Sequence, residues 1–129
     1  MINISEATAI AIHAMMYLAR NPDEARSVKV IAAATQVSEN HLSKVMQRLL
    51  KAGFVESVMG PKGGYRLCMK HRSATLMQIY EAVEGPWKPS CCLYSSPRKC
   101  GCCCLMRGML ESINKTFSDF MNGHTIDKI

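Results

Sequence analysis

A mainly α-helical chain with one small β-hairpin and a long helix towards its C-terminal end is the architecture these 129 residues predict. Apolar residues recur at helical spacing in five separate stretches, and one Gly/Pro-rich break divides two short β-prone segments. From Trp87 to Cys103 there is no periodicity at all, which sets the last helix apart from the others.

Ser5 is a cap for a first helix reaching Arg20, with Ile10, Ile12, Met15, Met16 and Leu18 at helical spacing and Asn21-Pro22-Asp23 as its stop. Val28 to Thr35 reads as a short second helix and Gln36 to Glu39 as a tight turn. Ser38 caps the third helix, Glu39 to Lys51, whose apolar set is Leu42, Val45, Met46, Leu49 and Leu50 and which ends at Ala52-Gly53. Phe54 to Met59 and Tyr65 to Met69 flank Gly60-Pro61-Lys62-Gly63-Gly64, the composition of a hairpin with a glycine-rich tip. Thr75 to Glu84 is a further amphipathic helix, broken by Gly85-Pro86. Leu105, Met106, Met109, Leu110, Ile113, Phe117, Phe120 and Met121 form an apolar stripe on a final helix ending near Asn122-Gly123. The chain therefore divides into a head at 1–84, a cysteine-rich loop at 85–103, and a helix with a short tail at 104–129.

At 48% hydrophobic and 20% charged the chain has material for a core, and its length excludes a large multidomain enzyme. Aromatics are only 6% against ten methionines, so flexible thioethers do much of the packing. Tyr65 is expected to anchor the hairpin, Cys68 to be a buried small hydrophobe, His13 to be a core or interface histidine, and His71 and His124 to face solvent.

Two helices joined by a short turn and followed by a hairpin form a winged helix-turn-helix, whose second helix enters the DNA major groove while the hairpin touches the flanking groove. The charge follows that geometry. Seven bases against one acid lie between Asn40 and Thr75, so this stretch holds the whole +6 excess of the chain. With its apolar set turned inward, the third helix offers Asn40, His41, Ser43, Lys44 and Gln47, beginning at Ser38, to base edges. Arg48, Lys51, Lys62 and Arg66, with Lys70, suit phosphates.

The N-terminus shows no signal-peptide pattern and no run approaches the roughly 20 apolar residues of a membrane span, so the expectation is a cytoplasmic protein with no membrane partner. In a reducing compartment, clustered cysteines point to metal or redox chemistry. Six of the seven, Cys91, Cys92, Cys100, Cys102, Cys103 and Cys104, fall within fourteen residues. Thiolates select zinc, copper(I) or iron–sulfur clusters. Paired zinc knuckles are absent, while an iron–sulfur cluster accepts irregular spacing and is offset in charge by Lys88, Arg98, Lys99 and Arg107. Cys103 and Cys104 are expected at a helix start, where the dipole favours thiolate.

The run VSENHLSKVMQRLLKAGFVESVMGPKGGYRL, then TLMQIYEAVEGP, the cysteine loop, CLMRGML and a closing HTIDKI, resembles the bacterial winged-helix iron–sulfur regulators (Rrf-type), the family that includes IscR, NsrR and CymR. The resemblance covers essentially the whole chain. It implies a homodimer with crossed C-terminal helices, each head reading half of an inverted repeat in double-stranded DNA. It also implies a 2Fe–2S or 4Fe–4S cluster held by three loop cysteines and controlling DNA affinity in response to nitric oxide, redox or iron–sulfur status. Carried over residue by residue, the ligands are Cys92, Cys100 and Cys104, with Cys91, Cys102 and Cys103 as alternates. The histidine that completes the site in IscR falls on Arg107, and the helix-one carboxylate of NsrR falls near Thr8 or Ala9, leaving a fourth loop cysteine, Glu6 or an exogenous group for that place. The glutamate IscR uses on its recognition helix corresponds to Ser43, and its wing arginine to Met59.

The resulting expectation is a regulator and not an enzyme, since no Gly-rich cofactor loop and no acid/base pair accompany the thiols. The alternatives are a regulator switched by zinc or a disulfide, and an iron–sulfur or metal carrier with a basic face.

Overall fold

Hydroxyl side chains decide where the helices of the head begin. The Oγ of Ser5 accepts a hydrogen bond from Thr8 N at 3.2 Å, that of Ser27 from Val30 N at 3.2 Å and that of Ser38 from His41 N at 3.2 Å. They open α1 (Glu6–Arg20), α2 (Val28–Thr35) and α3 (Glu39–Lys51). Thr75 opens α4 (Leu76–Glu84) with a capping box: its Oγ1 accepts from Gln78 N at 3.2 Å, and its own N–H donates to the Gln78 side chain at 2.8 Å. The computed structural model describes residues 2–90 and 106–128, and these also contain a hairpin, β1 (Val55–Val58) and β2 (Gly64–Leu67), a 3-10 turn at Met69–His71, and α5 (Arg107–Gly123).

α1 is the central post, packed by α2, α3 and α4. Its inward face of Ala11, Ala14, Met15 and Leu18 meets Ile31, Leu42, Val45, Met46, Leu49 and Ile79, all within a few per cent of full burial. Met15, Met46 and Met77 take core positions, as the methionine-rich composition requires.

The winged helix-turn-helix and the separate long helix are thus as expected, and the structure corrects details. The strands are shorter than read. Phe54 is buried and donates its N–H to Leu49 O at the end of α3, while its own carbonyl accepts a last cross-hairpin bond from Cys68 N at 3.0 Å before Met69 enters the 3-10 turn. Leu50 is exposed, one step off the buried stripe of α3, and of the two places expected for His13 the core is excluded, since it is exposed on the outer side of α1, opposite Ala11 and Met15. Cys68 is only half-buried. His71 is half-buried against Phe54, ring centroids 4.5 Å apart, and His124 is exposed yet stacked 4.1 Å from Phe120.

The tail HTIDKI fastens the end of α5 to the head. Leu76 N–H donates to His124 O and Ile126 N–H to Ala74 O, both at 3.0 Å, forming a two-residue antiparallel bridge between Thr75 and Thr125. Ile126 is buried beside it, and Ser73 donates to Asp127 at 3.0 Å. The body of α5 is held by Phe117, whose ring lies 5.6 Å from Tyr80, edge-on, and 5.4 Å from Trp87. Among the described residues no helix is long and apolar enough to cross a membrane.

Candidate nucleic-acid interface

Three residues, Gln36 to Ser38, separate α2 from α3. Gln36 takes the left-handed conformation (φ 59°), and Val37 N–H closes the turn on Ala32 O at 3.1 Å. With Leu42, Val45, Met46 and Leu49 buried, α3 presents Asn40, Lys44, Gln47, Arg48 and Lys51 to solvent, with His41 and Ser43 half-buried at the same surface. Ser38 is also exposed, but its hydroxyl is engaged by the cap.

Two glycines permit the wing. A Cβ on Gly63 would lie 2.2 Å from Val58 O, and one on Gly64 would lie 2.1 Å from Arg26 O. Gly64 also holds φ +143°. This contact lets Tyr65 exchange two backbone hydrogen bonds with Arg26, both at 2.8 Å, so the segment before α2 forms a third rung on the hairpin. Tyr65 packs against the core from there, as its anchoring role requires. Lys62 is exposed at the tip. Arg66 stands opposite Glu56 and pairs with it at 3.0 Å across the hairpin, so the wing's acid already engages the one base facing it.

A carboxylate joins the two ends of the head. Glu84, the last residue of α4, accepts from Thr8 Oγ1 at 2.5 Å, from Ser5 Oγ, and from Ser5 N at 3.3 Å. These bonds, first that from Ser5 and then that from Thr8, hold its carboxyl below the usual carboxylate range, and the Arg48 guanidinium adds to the effect. Thr8 is the one buried polar residue among those described. The interruption it makes in the apolar run of α1 was the only sign of this contact in the sequence; its partner lies 76 residues away. Glu84 therefore ties α1 directly to the point where the chain leaves the head.

The six clustered cysteines, including the expected ligands Cys92, Cys100 and Cys104, lie outside the described residues, as does the helix start expected at Cys103 and Cys104. α5 is described from Arg107. Arg107 itself pairs with Glu111 at 2.8 Å, and Glu6 is exposed in the first turn of α1. Among the described residues no group of three or more His, Cys, Asp or Glu is placed to hold a metal ion.

Residues 4–129 match the model of the Rrf2 family, described as iron-dependent transcriptional regulators. A protein of Aquifex aeolicus assigned as an HTH-type transcriptional regulator is 33% identical over 126 residues, covering 95% of this chain and 87% of its own length. Among solved structures, IscR of T. potens superposes with a TM-score of 0.77 at 26% identity, covering 98% of this chain and 85% of that one. CymR of B. subtilis, described as its global cysteine regulator, gives the same TM-score of 0.77 and identity of 26%, with coverage of 98% and 95%.

Proposed function

Because the chain belongs to the Rrf2 family of DNA-binding transcriptional regulators, we propose that it acts in the cytoplasm as a homodimer on an inverted-repeat operator, with an iron–sulfur cluster on its loop thiols setting operator affinity. The observation that carries this reading is the attachment of α5 to the head at its middle and at its C-terminal end. Its C-terminal end is fastened to the head through the Thr75–Thr125 bridge, and its middle is fixed by Phe117 against Tyr80 and Trp87, beside the point where the cysteine segment begins. Any change in that segment therefore has a rigid path to the head.

The outward side of α5 suits a second copy. Ile113, Phe117 and Phe120 line an open apolar groove of about 440 Å³ with Ile2, and Met109 and Ile113 remain nearly half exposed in one chain. A paired α5 crossing it would cover these side chains, worth roughly 25 cal/mol per Å² of apolar surface removed from water. Two heads yoked in this way present two α3 helices at a fixed separation, which is what a palindromic site demands. On each, Asn40, His41, Ser43, Lys44 and Gln47 read bases, while Arg48, Lys51 and Lys62 hold phosphates, joined by Arg66 when a phosphate displaces Glu56 from its exposed pair.

The donor set fits a cluster: Cys92, Cys100 and Cys104, or their neighbours Cys91, Cys102 and Cys103, are soft thiol ligands, and the described residues hold no competing site. A bound cluster supplies a group that nitric oxide, oxygen or iron shortage removes or alters. The chain's own part is mechanical, through Glu84, Trp87 and α5, which fix the angle between heads. Glu84 gives that hinge a polar latch, since its carboxylate holds Ser5 and Thr8 of α1.

A second reading, a thiol switch without iron, is favoured by the likeness to CymR. Analysis of anaerobically isolated protein separates the two: iron, sulfide and visible absorbance in the cluster reading, and colourless protein with oxidant-dependent DNA binding in the other. In both, binding to the operator falls steeply with salt.

A further inference from the structure

The wing tip carries an apolar residue that the fold does not use. Met59, just beyond β1, is 91% exposed, the largest value among the large apolar side chains described. Pro61, two residues on, is also exposed, and Lys62 follows it. The tip is nonetheless stiff: Gly63 N–H closes the turn on Gly60 O at 2.9 Å, Gly60 holds φ +107°, and Gly63 sits against Val58 O with no room for a Cβ. The two apolar groups are therefore held out in water by a preorganised turn within the basic stretch of the chain. On α5, Ile113 and Phe120 are exposed to about half and line a groove, whereas Met59 is almost wholly in water at the tip of a turn.

The DNA minor groove is the surface such a tip fits. Its walls are deoxyribose, its A·T floor lacks the guanine amino group, and Met and Pro are among the side chains that wedge between its base steps. A lysine beside the wedge meets the flanking phosphates. Resting on the DNA-binding reading above, we infer that Met59, seated by Pro61, is an apolar minor-groove contact that makes the protein select A·T or easily unstacked steps outside the bases read by α3. It is a specificity residue that contributes no charge.

The test uses the full-length dimer and an operator recovered by selection from genomic fragments. A·T pairs flanking the half-sites are replaced by G·C, or by inosine·C, which restores the A·T pattern in the minor groove while keeping that of G·C in the major groove. Wild-type protein should lose roughly tenfold in affinity on G·C flanks and recover it on inosine·C. Met59→Ala should bind the A·T operator roughly tenfold more weakly, ignore the flank changes and keep the wild-type salt slope, while Met59→Leu retains discrimination. Indifference of the wild type to its flanks, an inosine·C penalty equal to that of G·C, or full discrimination by Met59→Ala each overturn the inference and leave the regulator reading intact. Wild-type protein that prefers no genomic fragment over random duplex overturns both.

Discussion

Every helix of the head starts at a Ser or Thr whose oxygen meets an orphan backbone N–H, and each buries an apolar face against its own chain. α5 obeys neither rule. It starts after Met106 with no side-chain cap, only Leu110 and Met121 of its seventeen residues are buried, and Met109, Ile113 and Phe120 point outward. The head covers its own apolar faces, whereas α5 leaves Met109, Ile113 and Phe120 uncovered in one chain, as the proposed pairing of two copies requires. In the proposed dimer the two have separate tasks: the head reads, and α5 connects one head to the other.

The difference is broken most severely at α5. Ile113→Lys with Phe120→Lys should convert the dimer to a folded monomer in sedimentation and lower operator affinity by about a thousandfold, to that of non-specific binding. Far-ultraviolet circular dichroism should keep the head's helical signal, and a variant that stays dimeric with full affinity removes α5 from the interface.

Within the head, Gly64→Ala forces a Cβ to within 2.1 Å of Arg26 O and so breaks the Arg26–Tyr65 rung. A loss of about 2 kcal/mol or more is expected in denaturant unfolding, with DNA affinity falling alongside because the wing is displaced. Dimerisation should be untouched, which separates the two regions from the other side.

Thr8→Val tests the latch. It removes one of the donors to Glu84 and should cost about 1 kcal/mol at neutral pH, read as a lower denaturant midpoint at unchanged slope. The carboxyl of Glu84 is depressed in the fold, so its contribution is complete above the ordinary carboxylate pKa and is lost as pH falls through the lower folded value. The gap between Thr8→Val and wild type should accordingly narrow in acid. The smallest effect belongs to the phosphate contact of one lysine: Lys51→Ala should weaken every duplex alike and, lost from both heads of the dimer, flatten the salt slope by about 1.8. A loss confined to one sequence would instead make Lys51 a base reader.

How much of this could be read from residues alone follows the range of the interactions. Ser5, Ser38 and Thr75 act on N–H groups three residues away, so helix starts were legible. The double glycine announced the wing, although its reason, the approach of Arg26 from 38 residues upstream, did not show. Contacts between distant single residues left little or no trace: Glu84 with Thr8, marked only by a polar break in the apolar run of α1, and the two-residue bridge of Thr75 with Thr125; the phase that turns His13 and Leu50 outward was also hidden. A bridge of two residues leaves no periodicity for a pattern to detect. Of the interface, the basic outer face of α3 was legible from spacing and charge, but the pairing of Arg66 with Glu56 needed the strand register.

Operator affinity measured before and after chelation of anaerobically isolated protein, with iron and sulfide counted in the same samples, decides whether a cluster sets DNA binding. Coloured protein containing both, whose affinity shifts at least tenfold as they are removed, is the predicted result. Colourless protein that contains neither and holds the same operator equally tightly before and after treatment would contradict it.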